Sequence, residues 1–292
     1  MGENNDDKKR KLDILVLSDI HLGTYGCHAK ELSKYLKSVQ PKMVVLNGDI
    51  IDFWQMSSSY WPKSHSKIIK IFSNWLSKDI PVYYITGNHD ETIRRFAGFE
   101  LGTLKIENKL MYEFEGKKFW FFHGDVFDVT MQYAKWLTRL GSTGYNLLIL
   151  INRFVNYILE KFGRGRISFS KNVKNKVKNA VSYINKFEEL CVELAAEKNI
   201  DYVICGHIHH PSIKTFFAHD KLTTYLNSGD WVENLTSLEY NNNEWEIYKY
   251  DESEFIKSDK EEFFQNDEAD DELIDLNNKQ IFSLMIKEIR EK

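Results

Sequence analysis

The sequence predicts an α/β protein whose body is interrupted by an inserted helical hairpin. Three observations predict it. Short apolar runs rich in β-branched residues recur along the 292 residues, with helical patterns between several of them. Nearly every such run stops on a cluster of aspartate, asparagine or histidine. From about Val129 to Asn199 the strand signals vanish and two helical patterns take over.

In chain order, strands are expected at Ile14 to Leu17, Met43 to Leu46, Val82 to Ile85, Phe119 to Phe122, Tyr202 to Cys205 and Thr224 to Leu226. Helices are expected over Ala29 to Val39, ended by Pro41, and over Ser66 to Lys78, ended near Pro81, because proline cannot continue the helical ladder. In Tyr145 to Phe162 one apolar stripe runs through Leu147, Ile151, Phe154, Val155, Ile158 and Phe162. In Ser170 to Lys198 the apolar residues Val173, Val177, Ala180, Ile184, Phe187, Cys191 and Leu194 alternate spacings of four and three, the pattern of a helix packed along a partner.

The expected division is a polar tail over residues 1–11, a body over 12–250 carrying the helical insert over 129–199, and an acidic tail over 251–292. The net charge of -4 argues against a nucleic-acid partner. Local charge departs from that sum. Between Arg153 and Lys186 stand nine basic residues, Arg164 and Arg166 among them, against the single acid Glu160. Three cysteines without CxxC spacing point away from a disulfide framework and toward a reducing compartment. The charged start carries no apolar signal region, Asp6 spoils a myristoylation motif, and "LLILI" at Leu147 to Ile151 is too short to span a bilayer.

The chemistry lies at the strand ends. Asp19 and His21 follow the first run, Asp49 the second, Asn88 and His89 the third, His123 the fourth, and His207 and His209 the fifth. Alone, each is ordinary turn chemistry. In an α/β fold, however, ligands gather at the carboxyl edge of the strands, so residues distant in sequence converge there. Asp19, His21, Asp49, Asn88, His123, His207 and His209 supply carboxylate, amide and imidazole but no thiolate, a set suited to Mn²⁺, Fe²⁺ or Zn²⁺. Seven donors exceed the needs of one ion. Two ions about 3.5–4 Å apart, sharing one carboxylate, use them all, acidify a bound water and clamp a phosphate under in-line attack.

These residues resemble the calcineurin-like metallophosphoesterase family, whose motifs appear in family order as Asp19-Ile-His21, Gly48-Asp49, Gly87-Asn88-His89-Asp90, His123 and Gly206-His207-Ile208-His209. The resemblance implies a sandwich of two β-sheets flanked by helices. It implies that Asp19, His21, Asp49 and His209 hold one divalent ion and Asp49, Asn88, His123 and His207 the other, with Mn²⁺ first in preference. It further implies that His89 protonates the leaving oxygen or steadies its charge, and that Asp90 positions the His89 ring.

Within the superfamily, "HLG", "IDFW", the helical insert and "NSGDW" look most like the bacterial UDP-diacylglucosamine diphosphatase group of lipid A synthesis. That likeness implies a lipid-linked nucleotide sugar as substrate and contact with the inner membrane surface from the cytoplasm; the basic insert independently offers Arg164 and Arg166 in its "GRGR" turn as substrate contacts, and Asn88 and His210, which adjoin the metal motifs, are further candidates. The best-known diphosphatase branch has arginine where His89 stands. Other phosphoester substrates (a cyclic nucleotide, a nucleotide pyrophosphate, a phosphoprotein) and an inactive scaffold of the same fold are the alternatives. Trp54, Trp61 and Trp231 fit a substrate wall or the core equally. Asn227 and Asp230 follow the last strand near the same edge.

Overall fold

The computed structural model describes residues 9–56, 60–127 and 170–255. Twelve strands make two sheets: β1 (Arg10–Leu17), β2 (Val39–Asn47), β3 (Val82–Ile85), β4 (Phe99–Leu101), β5 (Leu104–Glu107), β6 (Lys109–Phe114), β7 (Lys117–Phe122), β8 (Tyr202–Cys205), β9 (Ser212–Ala218), β10 (Lys221–Asn227), β11 (Thr236–Asn241) and β12 (Glu244–Lys249). The larger sheet runs β12-β11-β1-β2-β3-β5-β4 and the smaller β6-β7-β8-β10-β9. At the centre of each the strands are parallel: β1, β2, β3 and β5 in one, β7, β8 and β10 in the other. Their carboxyl ends therefore lie along one rim of each sheet.

Why these segments form strands is visible in their burial. Central strands are apolar almost throughout because both faces are covered. Val44, Leu46, Leu15 and Leu17 pack outward against α1 (Ala29–Ser38) and α2 (Lys63–Ser77), while Ile14, Val16, Val45 and Ile85 meet Phe119, Phe121, Ile204 and Leu226 of the facing sheet. The far face of the smaller sheet, with Trp120, Phe122, Val203 and Tyr225, packs against Phe187, Cys191, Val192 and Ala195 of α4 (Ser170–Glu197). A short α3 (Glu91–Arg94) follows β3. Helix, sheet, sheet and helix thus form four layers, and each fully buried Leu, Ile or Phe side chain contributes roughly 1.5–3 kcal/mol.

All six expected strands are present, most of them longer than expected. Two details differ. Helix α1 ends at Ser38, and Pro41 sits inside β2 opposite Leu12, so the chain passes directly from helix to strand. On α4 the covered face holds Phe187, Cys191, Val192, Ala195 and Ala196, whereas Ala180 is exposed and Leu194 only half-buried. The expected helix over Tyr145 to Phe162 lies outside the described residues, as do Arg164 and Arg166. All three cysteines are free thiols.

Three hairpins close with both turn residues at positive φ: Glu115-Gly116, His219-Asp220 and Asn242-Asn243. That geometry matches the right-handed twist of paired strands. Among the described residues no helix is long and apolar enough to cross a membrane.

Candidate metal centre

The rim where the parallel strands end is stitched across the two sheets. Asn47, the last residue of β2, donates its side-chain N–H groups to the carbonyls of Phe122 and Ile204 on β7 and β8, at 3.2 and 3.4 Å. Ser18, just after β1, lies 2.6 Å from the Ser228 hydroxyl just after β10. On this seam the chain folds back sharply. Asp19, His21, Asp49, His207 and His209 all adopt left-handed backbone conformations, with φ between 50° and 67°. Such a conformation costs a non-glycine residue on the order of 1 kcal/mol or more, and functional sites are among the places where it is retained. Backbone bonds hold the turns: Asp19 N to Gly48 O at 3.0 Å, His21 N to Asp49 O at 3.0 Å, and Gly206 N to His123 O at 2.9 Å.

The ligand atoms of Asp19, His21 and His209 lie within 4.8 Å of one another, as do those of Asp49, His123 and His207. A third trio, His21, Asp49 and His89, joins the two clusters. Asp49 stands in the middle: one oxygen accepts from the backbone N–H of His89 at 2.8 Å, and the other lies 3.2 Å from Nε2 of His123. Gly87 is required here, because a Cβ would overlap Asp49 Oδ1. At Gly206 a Cβ would stand 2.6 Å from Asp19 Oδ2.

The imidazoles are aimed by their outer nitrogens. His21 Nδ1 pairs with Asp52 Oδ2 at 3.0 Å, and His123 Nδ1 with the Asn47 carbonyl at 2.9 Å, so each directs Nε2 into the centre. On His209, Nε2 faces Asp19 Oδ1 at 3.1 Å and Nδ1 faces Asp230 at 3.9 Å. Buried polar atoms are almost always hydrogen-bonded. His21 Nε2 and Asn88 Oδ1 are buried with no hydrogen-bond partner. Lone pairs left over in this way, with oxygen and imidazole donors and no thiolate, fit a pair of divalent cations.

Charge is arranged to match. Burial pushes the Asp19 and Asp49 carboxyls up, but the surrounding imidazoles outweigh it and hold both low, Asp19 at about 2. Burial also depresses His123 and His209, and the neighbouring carboxylates reverse this, lifting His209 to about 9. Protons and cations compete for the same nitrogen lone pairs, so metal binding here releases protons. Asp90 is pushed up to about 6 by burial and by the charge of Asp49.

The structure reassigns one contact. Asp90 does not touch the His89 ring; its carboxylate accepts from the Tyr84 hydroxyl at 2.7 Å, from Ile50 N at 3.2 Å and from Gly87 N. Asp90 thereby shapes the loop. The ring of His89 pairs through Nδ1 with Asp52 at 2.8 Å, and Asp52 also takes the backbone N–H groups of Trp54 and Gln55. Sequence reasoning passed over Asp52, although it stands three places after Asp49 in "GDIID", a spacing that brings a second carboxylate back to the same turn. His210 is exposed immediately after His209. Of the three tryptophans only Trp54 borders the site, 59% exposed with its ring 4.7 Å from that of His89. Trp231 is wholly buried against Tyr35, and Trp61 packs on the core beside the helices. Asn227 holds the Gly206 carbonyl at 2.7 Å, which fixes the turn that carries His207.

Known proteins resemble this chain. A UDP-2,3-diacylglucosamine hydrolase of Aliivibrio fischeri (strain MJ11) is 22% identical over 254 residues, covering 82% of this chain and 98% of that protein. A protein of the same name from Blochmanniella pennsylvanica (strain BPEN) is 23% identical over 267 residues, covering 82% of this chain and 100% of its own. Among solved structures, the E. coli phosphoesterase Yfce aligns over 78% of this chain and 88% of its own at 12% identity, with a TM-score of 0.39. The model of the family described as calcineurin-like phosphoesterase matches residues 12–211, a span that includes Asp19, His21, Asp49, Asn88, His123, His207 and His209. With that span covering more than half of its length, the chain belongs to the calcineurin-like phosphoesterase family of metal-dependent hydrolases.

Proposed function

We propose that the chain hydrolyses a diphosphate bond at a dinuclear centre, and that its substrate is a lipid-linked nucleotide sugar of the UDP-2,3-diacylglucosamine type, split into UMP and an acylated sugar phosphate. The observation that carries the hydrolase reading is the convergence of the carboxylate, imidazole and amide groups on one rim, with His21 Nε2 and Asn88 Oδ1 left unpartnered inside it. The relatives of Aliivibrio fischeri and Blochmanniella pennsylvanica, both named UDP-2,3-diacylglucosamine hydrolase, support the substrate.

In this assignment Asp19, His21, Asp49 and His209 hold one ion and Asp49, Asn88, His123 and His207 the other, with Mn²⁺ preferred over Fe²⁺ or Zn²⁺. Once bound, the pair supplies an acidified water and positive charge for the phosphate oxygens. The rest is done by side chains of the chain. Burial lowers the His89 pKa, and the Asp52 and Asp49 carboxylates beside it more than offset this and raise it above its ordinary value. Nδ1 faces Asp52 at 2.8 Å, which leaves Nε2 to serve the departing oxygen. The exposed Trp54 ring beside His89 borders the space for the substrate. Arg164, Arg166 and the neighbouring basic residues suit a diphosphate and anionic headgroups, and a lipid-linked substrate brings the chain to the inner membrane surface.

The test is UMP release from UDP-2,3-diacylglucosamine with Mn²⁺, run beside bis-p-nitrophenyl phosphate and cyclic AMP. Release of UMP at rates well above either small ester supports the assignment. Hydrolysis of the small esters alone removes the lipid substrate and leaves a phosphodiesterase.

A further inference from the structure

Asn88 and His123, assigned above to the same ion, come from different sheets, Asn88 after β3 and His123 after β7. Their separation is therefore set by how the two layers sit at the rim. Besides Asn47, another side chain crosses between the sheets, directly between these two ligand loops. Arg94, the last residue of α3, donates Nη2 to Asp125 Oδ2 at 2.7 Å and to the Gly87 carbonyl at 3.3 Å, and Nε to the Thr86 hydroxyl at 3.3 Å. Thr86 and Gly87 lead into Asn88, and Asp125 lies two residues beyond His123.

The pairing has the character of an internal tie. The Arg94 side chain is 34% exposed and that of Asp125 only 11%. Burial depresses the guanidinium, but the bond to Asp125 more than offsets it and raises the Arg94 pKa. Thr86 is itself anchored, its hydroxyl donating to Asn108 at 2.8 Å and its backbone N–H to Glu107 O at 2.9 Å. On the other side Gly124, at φ +128°, has no room for a Cβ because the Phe187 ring stands 2.8 Å away, so the Asp125 turn is backed by α4. Both ends of the tie are thus fixed to packed structure. A charge-assisted bond between such points sets a distance, which a mobile surface pair does not.

We infer that Arg94 is a positioning residue for the ion assigned to Asn88 and His123: by clamping the Gly87 carbonyl to Asp125 it holds the ligand loops of the two sheets at coordinating separation. The inference rests on the dinuclear assignment proposed above. It singles out one ion, because Asp19, His21 and His209 lie on loops Arg94 does not touch. Arginine is needed, since its planar fork reaches Thr86, Gly87 and Asp125 at once and an ammonium cannot reproduce that geometry.

The test is titration of metal-free wild type, Arg94→Ala, Arg94→Lys and Asp125→Asn with Mn²⁺, read by electron paramagnetic resonance. The free ion, the single bound ion and the exchange-coupled pair each give distinct spectra. Expected is a loss of roughly 10–100-fold in affinity for the second Mn²⁺ in Arg94→Ala and Asp125→Asn, with the first ion bound within about threefold of wild type. Combining the two substitutions adds little, and Arg94→Lys recovers part of the loss. A variant that forms the coupled pair at wild-type concentrations overturns the inference, as does equal weakening of both ions together with a lowered Tm, which marks general loosening. Should wild type itself bind no Mn²⁺, the dinuclear assignment fails and this inference with it; two ions in both wild type and Arg94→Ala overturn the clamp alone.

Discussion

Nδ1 of His89 stands 2.8 Å from Oδ2 of Asp52, so the ring next to the candidate metal site faces a carboxylate carried on the loop after β2. The same oxygen lies 3.0 Å from Nδ1 of His21. One buried carboxylate therefore serves both the expected proton donor and an expected ligand.

Asp52→Asn is expected to lower turnover of bis-p-nitrophenyl phosphate by roughly 10²-fold at saturating Mn²⁺, because the amide no longer holds the His89 proton in place. Mn²⁺ affinity falls as well, through His21, by roughly 10–100-fold. Steady-state rates across a Mn²⁺ series separate the two effects. Wild-type turnover at high Mn²⁺ would return His89 to an unoriented role.

Gly48 lies at φ +84°, and a Cβ there would overlap the His123 ring. Gly48→Ala is expected to destabilise the fold by about 2 kcal/mol or more through the left-handed backbone and the displaced ring. For a chain of this size that lowers Tm by about 3 °C or more. Differential scanning calorimetry together with bound-metal analysis checks it, and an unchanged Tm would mean that His123 has room to move.

Chelation should cost stability along with activity. Carboxylates and imidazoles gathered at this density repel their own kind until a cation sits among them. Mn²⁺ at about a hundred times its Kd adds about 2.7 kcal/mol per site bound only by the folded state. Thermal scans with EDTA and with added Mn²⁺ should therefore differ by several degrees, and identical curves would count against ligation by these residues.

His65, buried beneath Tyr60 and Trp61, accepts the Gly23 backbone N–H on Nδ1 at 2.9 Å. Burial holds its pKa down to about 4, against an ordinary 6.5. Above pH 6.5 folded and unfolded chains both carry this ring neutral. As pH falls from 6.5 toward 4 only the unfolded chain takes up the proton, so stability declines across that window by about 2 kcal/mol after allowance for solvent screening. Denaturant unfolding at pH 7 and pH 4.5 in wild type and His65→Gln measures the difference, and equal slopes in the two proteins would locate the acid sensitivity elsewhere.

Much of this architecture was readable in advance because the central parallel strands are buried on both faces and write their apolar character into consecutive residues. The strands that went unread are those for which that pressure is absent. β6, β9 and β12 alternate exposed and covered positions at sheet edges. In β11 the apolar run is broken by Glu239, whose charge is met by Arg10 at 2.8 and 2.9 Å and by the Tyr35 hydroxyl at 2.8 Å, partners that no local window contains. The turn at Asn242-Asn243 was a legible hairpin signal all the same. In the site, residues that end strands announced themselves, whereas Asp52 and Arg94 act across loops and reveal their purpose only once β2, β3 and β7 are brought side by side.

The seam of Asn47 and Ser18 leaves its mark on how the protein would come apart. Under the assignment proposed above, ligands drawn from both sheets would make a bound ion a rivet through two plates, one that leaves more readily when the plates part at that rim. The rate at which ⁵⁴Mn exchanges with unlabelled ion would then serve as a clock for the breathing of the sandwich, ticking faster wherever a substitution lets the layers gape.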